Sequence, residues 1–93
     1  MTNKVEFSHI NEMVKSLEFK FARIGDTTTT VCEAFLPNGF SVGSGKSACV
    51  DPDGFDYELG CKYAMERAVK SATDNLWTLE GYLLKVTGKV SGE

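Results

Sequence analysis

The chain has 93 residues, room for one hydrophobic core. Its residues are 42% apolar and 25% charged, which excludes a disordered or collagen-like chain. No run approaches the ~20 apolar residues of a membrane span, and ten Lys and Arg against 13 Asp and Glu leave a net charge of −3. That balance excludes the broad basic field by which proteins bind nucleic-acid polymers.

The opening stretch Met1–Glu6 lacks the apolar segment of a secretory signal, so a reducing cytoplasm is expected. Cys32, Cys49 and Cys61 are irregularly spaced and His9 is the sole histidine, so neither a zinc site nor another metal site is expected. The cysteines read as small buried or half-buried thiols. The alternative is a Cys–His catalytic pair using His9.

In chain order, residues 8–17 read as a short amphipathic helix. Ile10, Met13, Val14 and Leu17 share one face, and Ser8 is placed to cap the N-terminus. From Glu18 the period becomes two, with Phe19 and Phe21 alternating with Lys20 and Ala22. Gly25-Asp26 marks a turn. Residues 27–36 read as a second strand whose core side is Thr28, Thr30, Cys32, Ala34 and Leu36. Asn38-Gly39 predicts a type I′ hairpin leading into a return strand at residues 40–43. Gly43-Ser44-Gly45-Lys46-Ser47 reads as a loop, and residues 48–50 as a short edge segment. Asp51 and Asp56 are both candidate helix caps.

Beyond Asp56, Cys61, Met65, Ala68, Ala72, Leu76, Leu79 and Leu83 recur at steps of three or four. A continuous helix over residues 55–86 would be about 48 Å long at ~1.5 Å per residue. A compact chain of this size is only roughly 30–35 Å across. Either the helix breaks at Thr73-Asp74-Asn75, or its apolar end, with Leu76, Leu79, Leu83 and Leu84, docks on a second copy. Docking is the preferred reading, with Ala64, Ala68 and Ala72 small enough to admit a close neighbour. Residues 87–93 read as a frayed tail. The expected architecture is α+β within a single domain: a short N-terminal helix, a small antiparallel sheet with the Asn-Gly hairpin, and a long C-terminal helix.

Several strings invite a functional reading. Gly45-Lys46-Ser47 resembles the end of a phosphate-binding loop, but the upstream glycine is out of register. What remains is a flexible loop or a nonstandard anion contact through Lys46 and Ser47. Thr27–Thr30 suits an exposed strand, and Asp51, Asp53 and Asp56 lack the downstream glutamate of a calcium loop. Gly81 within the helix implies close packing or a bend. Trp77 and Tyr82 serve the core, a subunit contact or the stacking of a base. Arg23 beside a turn is a solvated charge or a phosphate fork.

The ordered blocks Thr28-Thr29-Thr30-Val31-Cys32, Leu36-Pro37-Asn38-Gly39-Phe40, Ser47-Ala48-Cys49-Val50-Asp51-Pro52, Phe55-Asp56, Glu58-Leu59-Gly60 and Leu76-Trp77-x-Leu79-Glu80-Gly81-Tyr82-Leu83-Leu84 carry a resemblance over about residues 27–85. They resemble a family of small tailed-phage and prophage proteins of unknown function, catalogued from coliphage and Shigella-phage genomes. The N-terminal helix lies outside these blocks, and the string departs from the family pattern at Gly43–Lys46 and Ser71–Asn75. The architecture is also similar to Thoeris anti-defence proteins, small phage oligomers that sequester cyclic ADP-ribose-type signals without cleaving them. These resemblances imply a non-enzymatic accessory protein in the cytoplasm of the infected host, working as a homo-oligomer without a cofactor. They imply a cyclic nucleotide or cyclic ADP-ribose-type ligand, contacted by Arg23, Asn38, Lys46, Ser47, Trp77 and Tyr82. The alternative is an adaptor or inhibitor that binds a host protein through the C-terminal helix.

Overall fold

The computed structural model describes residues 4–93; the reading of Met1–Asn3 as part of a signal-free N-terminus lies outside them. Its elements are α1 (Phe7–Lys15), β1 (Glu18–Arg23), β2 (Thr29–Phe35), β3 (Ser41–Ala48), a 3-10 turn (Pro52–Gly54) and α2 (Tyr57–Thr87). The strands form one antiparallel sheet in the order β1-β2-β3. The fold is thus α+β, as the change of hydrophobic period implied.

α1 begins one residue earlier than its pattern suggested. The Glu6 carbonyl accepts from the His9 and Ile10 amides, so Ser8 falls inside the first turn and caps nothing. The apolar face is as expected, with Ile10 buried and Met13 and Val14 packed beside it. In β2 the alternation is strict: Thr30, Cys32 and Ala34 are buried and the residues between them are not. The hairpin is not type I′, because only Gly39 has a positive φ, at 90°. Pro37 cannot take positive φ, so Leu36–Gly39 closes as an ordinary turn, with the Gly39 amide on the Leu36 carbonyl at 2.8 Å. Gly39 then supplies the left-handed residue, and the Leu36 amide donates to the Phe40 carbonyl at 2.9 Å.

The largest departure from the sequence reading is β3, since Gly43–Ser47 is strand and not loop. Its glycines serve the helix above them. A Cβ on Gly43 would lie 2.5 Å from the Ala72 amide nitrogen, and one on Gly45 2.5 Å from that of Ala68. Ala64, Ala68 and Ala72 therefore do admit a close neighbour, but it is the chain's own sheet. At this range α2 also reaches the outer edge of β3. Arg67 donates to the Lys46 carbonyl at 2.6 Å, Ser71 Oγ accepts from the Ser44 amide, and Asn75 donates to the Val42 carbonyl at 2.7 Å. Side chains four residues apart thus occupy alternate backbone groups of an edge strand that would otherwise be open to pairing.

α2 is continuous through Thr73–Asn75 for 31 residues. Asp56 caps it by accepting from the Glu58 and Leu59 amides, and Asp51 caps the 3-10 turn through the Asp53 amide. The molecule is accordingly a rod, 55 × 20 × 18 Å, with a radius of gyration of 15.9 Å. Its buried stripe runs Ala64, Ala68, Ala72, Leu76 and Glu80 at constant steps of four. Such a stripe slants around a helix of 3.6 residues per turn, so its start meets the sheet and its end meets α1. Cys61 is only half-buried, and Met65 and Leu79 are exposed. Gly81 has open space around it and neither a bend nor a close contact depends on it.

Residues 87–93 are not frayed. Gly88, with φ 77°, ends the helix in the left-handed conformation, and Val90 and Ser91 fold back beside Glu80. The chain therefore shelters part of its own projecting helix, using α1 on one side and this tail on the other. Among the described residues, no helix is long and apolar enough to cross a membrane.

Candidate functional site

The six expected ligand contacts fall in four separate places. Arg23 ends β1, where its Nε donates to the Thr27 carbonyl at 2.5 Å and its guanidinium stacks 4.4 Å from the centre of the Phe55 ring. Ser47 stands near the end of β3 on the helix-facing side, paired across the ladder with Thr30. Lys46 is exposed and points to the opposite sheet face, as its pairing with Val31 requires. Asn38 is at the hairpin tip, where its Oδ1 accepts from the Phe40 amide at 2.9 Å. Trp77 and Tyr82 lie far along α2. Gly60 touches the sheet at Thr30, and Trp77 is 17 residues further on, about 26 Å at ~1.5 Å per residue. One copy of the chain therefore cannot gather these residues around a small ligand.

One of them, Ser47, lines a real concavity, and Arg23 reaches one of its wall residues. Between the start of β2, the end of β3 and the first turns of α2 lies a mainly apolar cavity of about 170 Å³. Phe55, Leu59 and Tyr63 line it on the helix side, and Thr28, Ser47 and Cys49 on the sheet side. Arg23 packs on the Phe55 wall and retains donors beyond those given to the turn. The floor is fixed by the ladder's last exchange: the Cys49 amide donates to the Thr28 carbonyl, and Thr28 Oγ1 donates back to the Cys49 carbonyl at 2.5 Å. The helix amides nearest the cavity are already held by Asp56. The space is below the ~300–1,000 Å³ of sites that enclose whole small molecules, so it has room for no more than a ring-sized group. Phe55, Leu59 and Tyr63 escaped the sequence reading because the cavity needs Thr28, some thirty residues away in the chain, to close it.

A second cluster joins the far end of the rod. Glu80, 4% exposed, accepts from His9 Nε2 at 2.5 Å, from the Ser91 amide at 2.9 Å and from Ser91 Oγ at 2.7 Å, all on the same carboxylate oxygen. Burial opposes the Glu80 charge, but the Ser91 and His9 hydrogen bonds outweigh it and hold the carboxyl below its usual range. The arrangement places the carboxylate between the hydroxyl and the imidazole. Nucleophilic catalysis needs the hydroxyl on the imidazole instead, so this cluster is a latch between α1, α2 and the tail. It also occupies His9, which pairs with no cysteine. Cys32 is buried and its thiol is pushed up by that burial, while Cys49 and Cys61 are half-buried and free. Among the described residues no group of His, Cys, Asp and Glu is arranged to hold a metal ion.

The four leucines expected at a subunit contact are not equivalent. Leu76 is fully buried in the chain's own core beside Ile10, Leu83 and Leu84 are half-buried, and Leu79 is 44% exposed. Trp77 packs at 6.3 Å against Phe7 of α1, and Tyr82 is 70% exposed.

No curated protein and no solved structure matches the chain. A family model does, and its match includes α1 as well as the sheet and α2. Spanning residues 5–87, it shows that the chain belongs to the Phage protein (N4 Gp49/phage Sf6 gene 66) family.

Proposed function

We propose that this phage protein is a non-enzymatic accessory factor that binds and sequesters a small nucleotide signal in the host cytoplasm. The base would enter the cavity between Phe55, Leu59 and Tyr63, and the phosphate would lie outward, toward Arg23. The observation that carries this reading is the joining of an aromatic-walled slot to a guanidinium stacked on one of its walls. A planar heterocycle gains from the aromatic faces, and Ser47 offers a hydroxyl to its edge. The carboxylates Asp51, Asp53 and Asp56 exclude the phosphate from the α2 N-terminus, which leaves Arg23 as its contact. Sequestration requires affinity and no bond cleavage.

Calorimetric titration with cyclic mononucleotides, cyclic dinucleotides and cyclic ADP-ribose isomers tests the reading. One of them should bind, and Phe55→Ala or Arg23→Ala should weaken it at least about tenfold, or ~1.4 kcal/mol. The ligand should be recovered with its mass unchanged. Absence of heat with every compound, or full affinity in Phe55→Ala, would discard the proposal; altered ligand mass would point to an enzyme.

A further inference from the structure

The two edges of the sheet are finished differently. Arg67, Ser71 and Asn75 of α2 occupy the outer edge of β3. The outer edge of β1 has no such cover. At the end of that strand the Ile24 amide donates to the Thr29 carbonyl at 2.9 Å, so Ile24 faces β2. Backbone groups alternate in direction along a strand. Those of Ala22, Lys20 and Glu18 therefore also face β2, and those of Phe19, Phe21 and Arg23 face outward. Among the described residues no group bonds these three N–H and three C=O groups. The Phe19 and Phe21 side chains fall on the α2 side, as their pairing with Ala34 and Cys32 requires, and Phe21 is 38% exposed. On α2, Arg67 stands about 80° to one side of the Ala64–Ala68 stripe, where it reaches β3. Met65, 39% exposed, stands about 80° to the other side, toward β1.

We propose that the β1 edge takes an extended segment of a partner protein as a fourth strand, antiparallel to β1. Outward N–H and C=O groups at strand spacing select an extended backbone. The charges select its sequence. Glu18 and Lys20 point to the sheet face away from α2, and among the described residues neither makes an ion pair. Glu33, opposite Lys20, accepts instead from Ser41. An antiparallel strand with an acidic residue opposite Lys20 and a basic one opposite Glu18 satisfies both. Its residues opposite Phe21 and Phe19 face the α2 side and are apolar. The segment therefore reads apolar, acidic, apolar, basic. A second copy of β1 fits less well. The register that sets Lys20 opposite Glu18 also needs Leu17 opposite Phe21, and the Leu17 amide is already held by the Val14 carbonyl. The register centred on Phe21 sets Lys20 opposite Ala22 and Glu18 opposite Ile24, so neither charge is matched. This contact uses the edge remote from β3 and does not rest on the nucleotide reading.

Nuclear magnetic resonance of the full chain with two end-blocked peptides is the test: Thr-Val-Glu-Val-Lys-Thr and the charge-swapped Thr-Val-Lys-Val-Glu-Thr. The first should bind and slow hydrogen exchange at the Phe19, Phe21 and Arg23 amides, and the second should bind at least about threefold more weakly. The double variant Glu18→Lys, Lys20→Glu, with unchanged circular dichroism, should reverse that order. Phe21→Pro removes one outward N–H and no ladder bond, so it should abolish binding in a folded chain. No binding of either peptide at millimolar concentration, or equal binding of both, would overturn the proposal. So would shifts confined to the residues of the cavity. Protection of the same amides that rises with protein concentration alone would also overturn it, in favour of a second copy.

Discussion

Removing the Glu80 carboxylate should loosen the far end of the rod before its sheet-bound half. In Glu80→Ala three donors lose one acceptor: His9 Nε2, the Ser91 amide and Ser91 Oγ. Leaving a buried hydrogen-bonding group without its partner costs about 1–3 kcal/mol, and more where the group lost is charged, as the Glu80 carboxylate is. Here His9 and Ser91 sit near the surface and regain water, so about 3 kcal/mol is the expected loss. For a domain of this size each kcal/mol moves Tm by roughly 4–8 °C, giving a fall of about 12–24 °C. Trp77 lies against Phe7, so its fluorescence follows α1 undocking, while circular dichroism at the helix band follows α2. In Glu80→Ala the fluorescence transition should precede the dichroism transition. The pH dependence has a definite sign. The folded carboxyl is held below its usual value, so its contribution is complete above the unfolded value near 4.3. It is lost as pH falls through the lower folded value, because the unfolded chain then binds more protons. Glu80→Gln should therefore flatten the acid side of the stability curve. A Glu80→Ala chain less than about 1 kcal/mol weaker than wild type, with coincident transitions, would refute the latch.

Two glycine substitutions should act in opposite directions, as denaturant titration can show. Gly45→Ala drives a methyl into the α2 backbone at Ala64 and Ala68 and should cost about 1–3 kcal/mol or more; Gly81→Ala meets nothing and should gain about 1 kcal/mol. A neutral Gly45→Ala would mean that α2 stands off the sheet. Thr30 Oγ1 is buried without a hydrogen-bond partner, so Thr30→Val should stabilise by about 1 kcal/mol, read as a higher denaturation midpoint at unchanged slope.

Local chemistry determined much of this fold directly from the sequence. The two-residue period of Thr28–Leu36 fixed which face of β2 is buried, because alternate side chains of a strand must point to opposite sides. Asp56 marked the start of α2, and the absence of proline up to Val86 let the helix run unbroken past the diameter of a compact chain. Other features depended on neighbours distant in the chain, and only the tertiary structure decided them. Gly43, Ser44 and Gly45 have the composition of a loop, yet they form a strand because α2 comes too close for any side chain. Glu80 occupies the next step of a buried stripe, where polarity argues for solvent; His9 and Ser91, both remote in sequence, make its burial tolerable. The cavity beside Phe55 and Tyr63 exists only where two strand ends meet the first turns of α2. Periodicity records which way each side chain points, and it carries no information about what stands opposite.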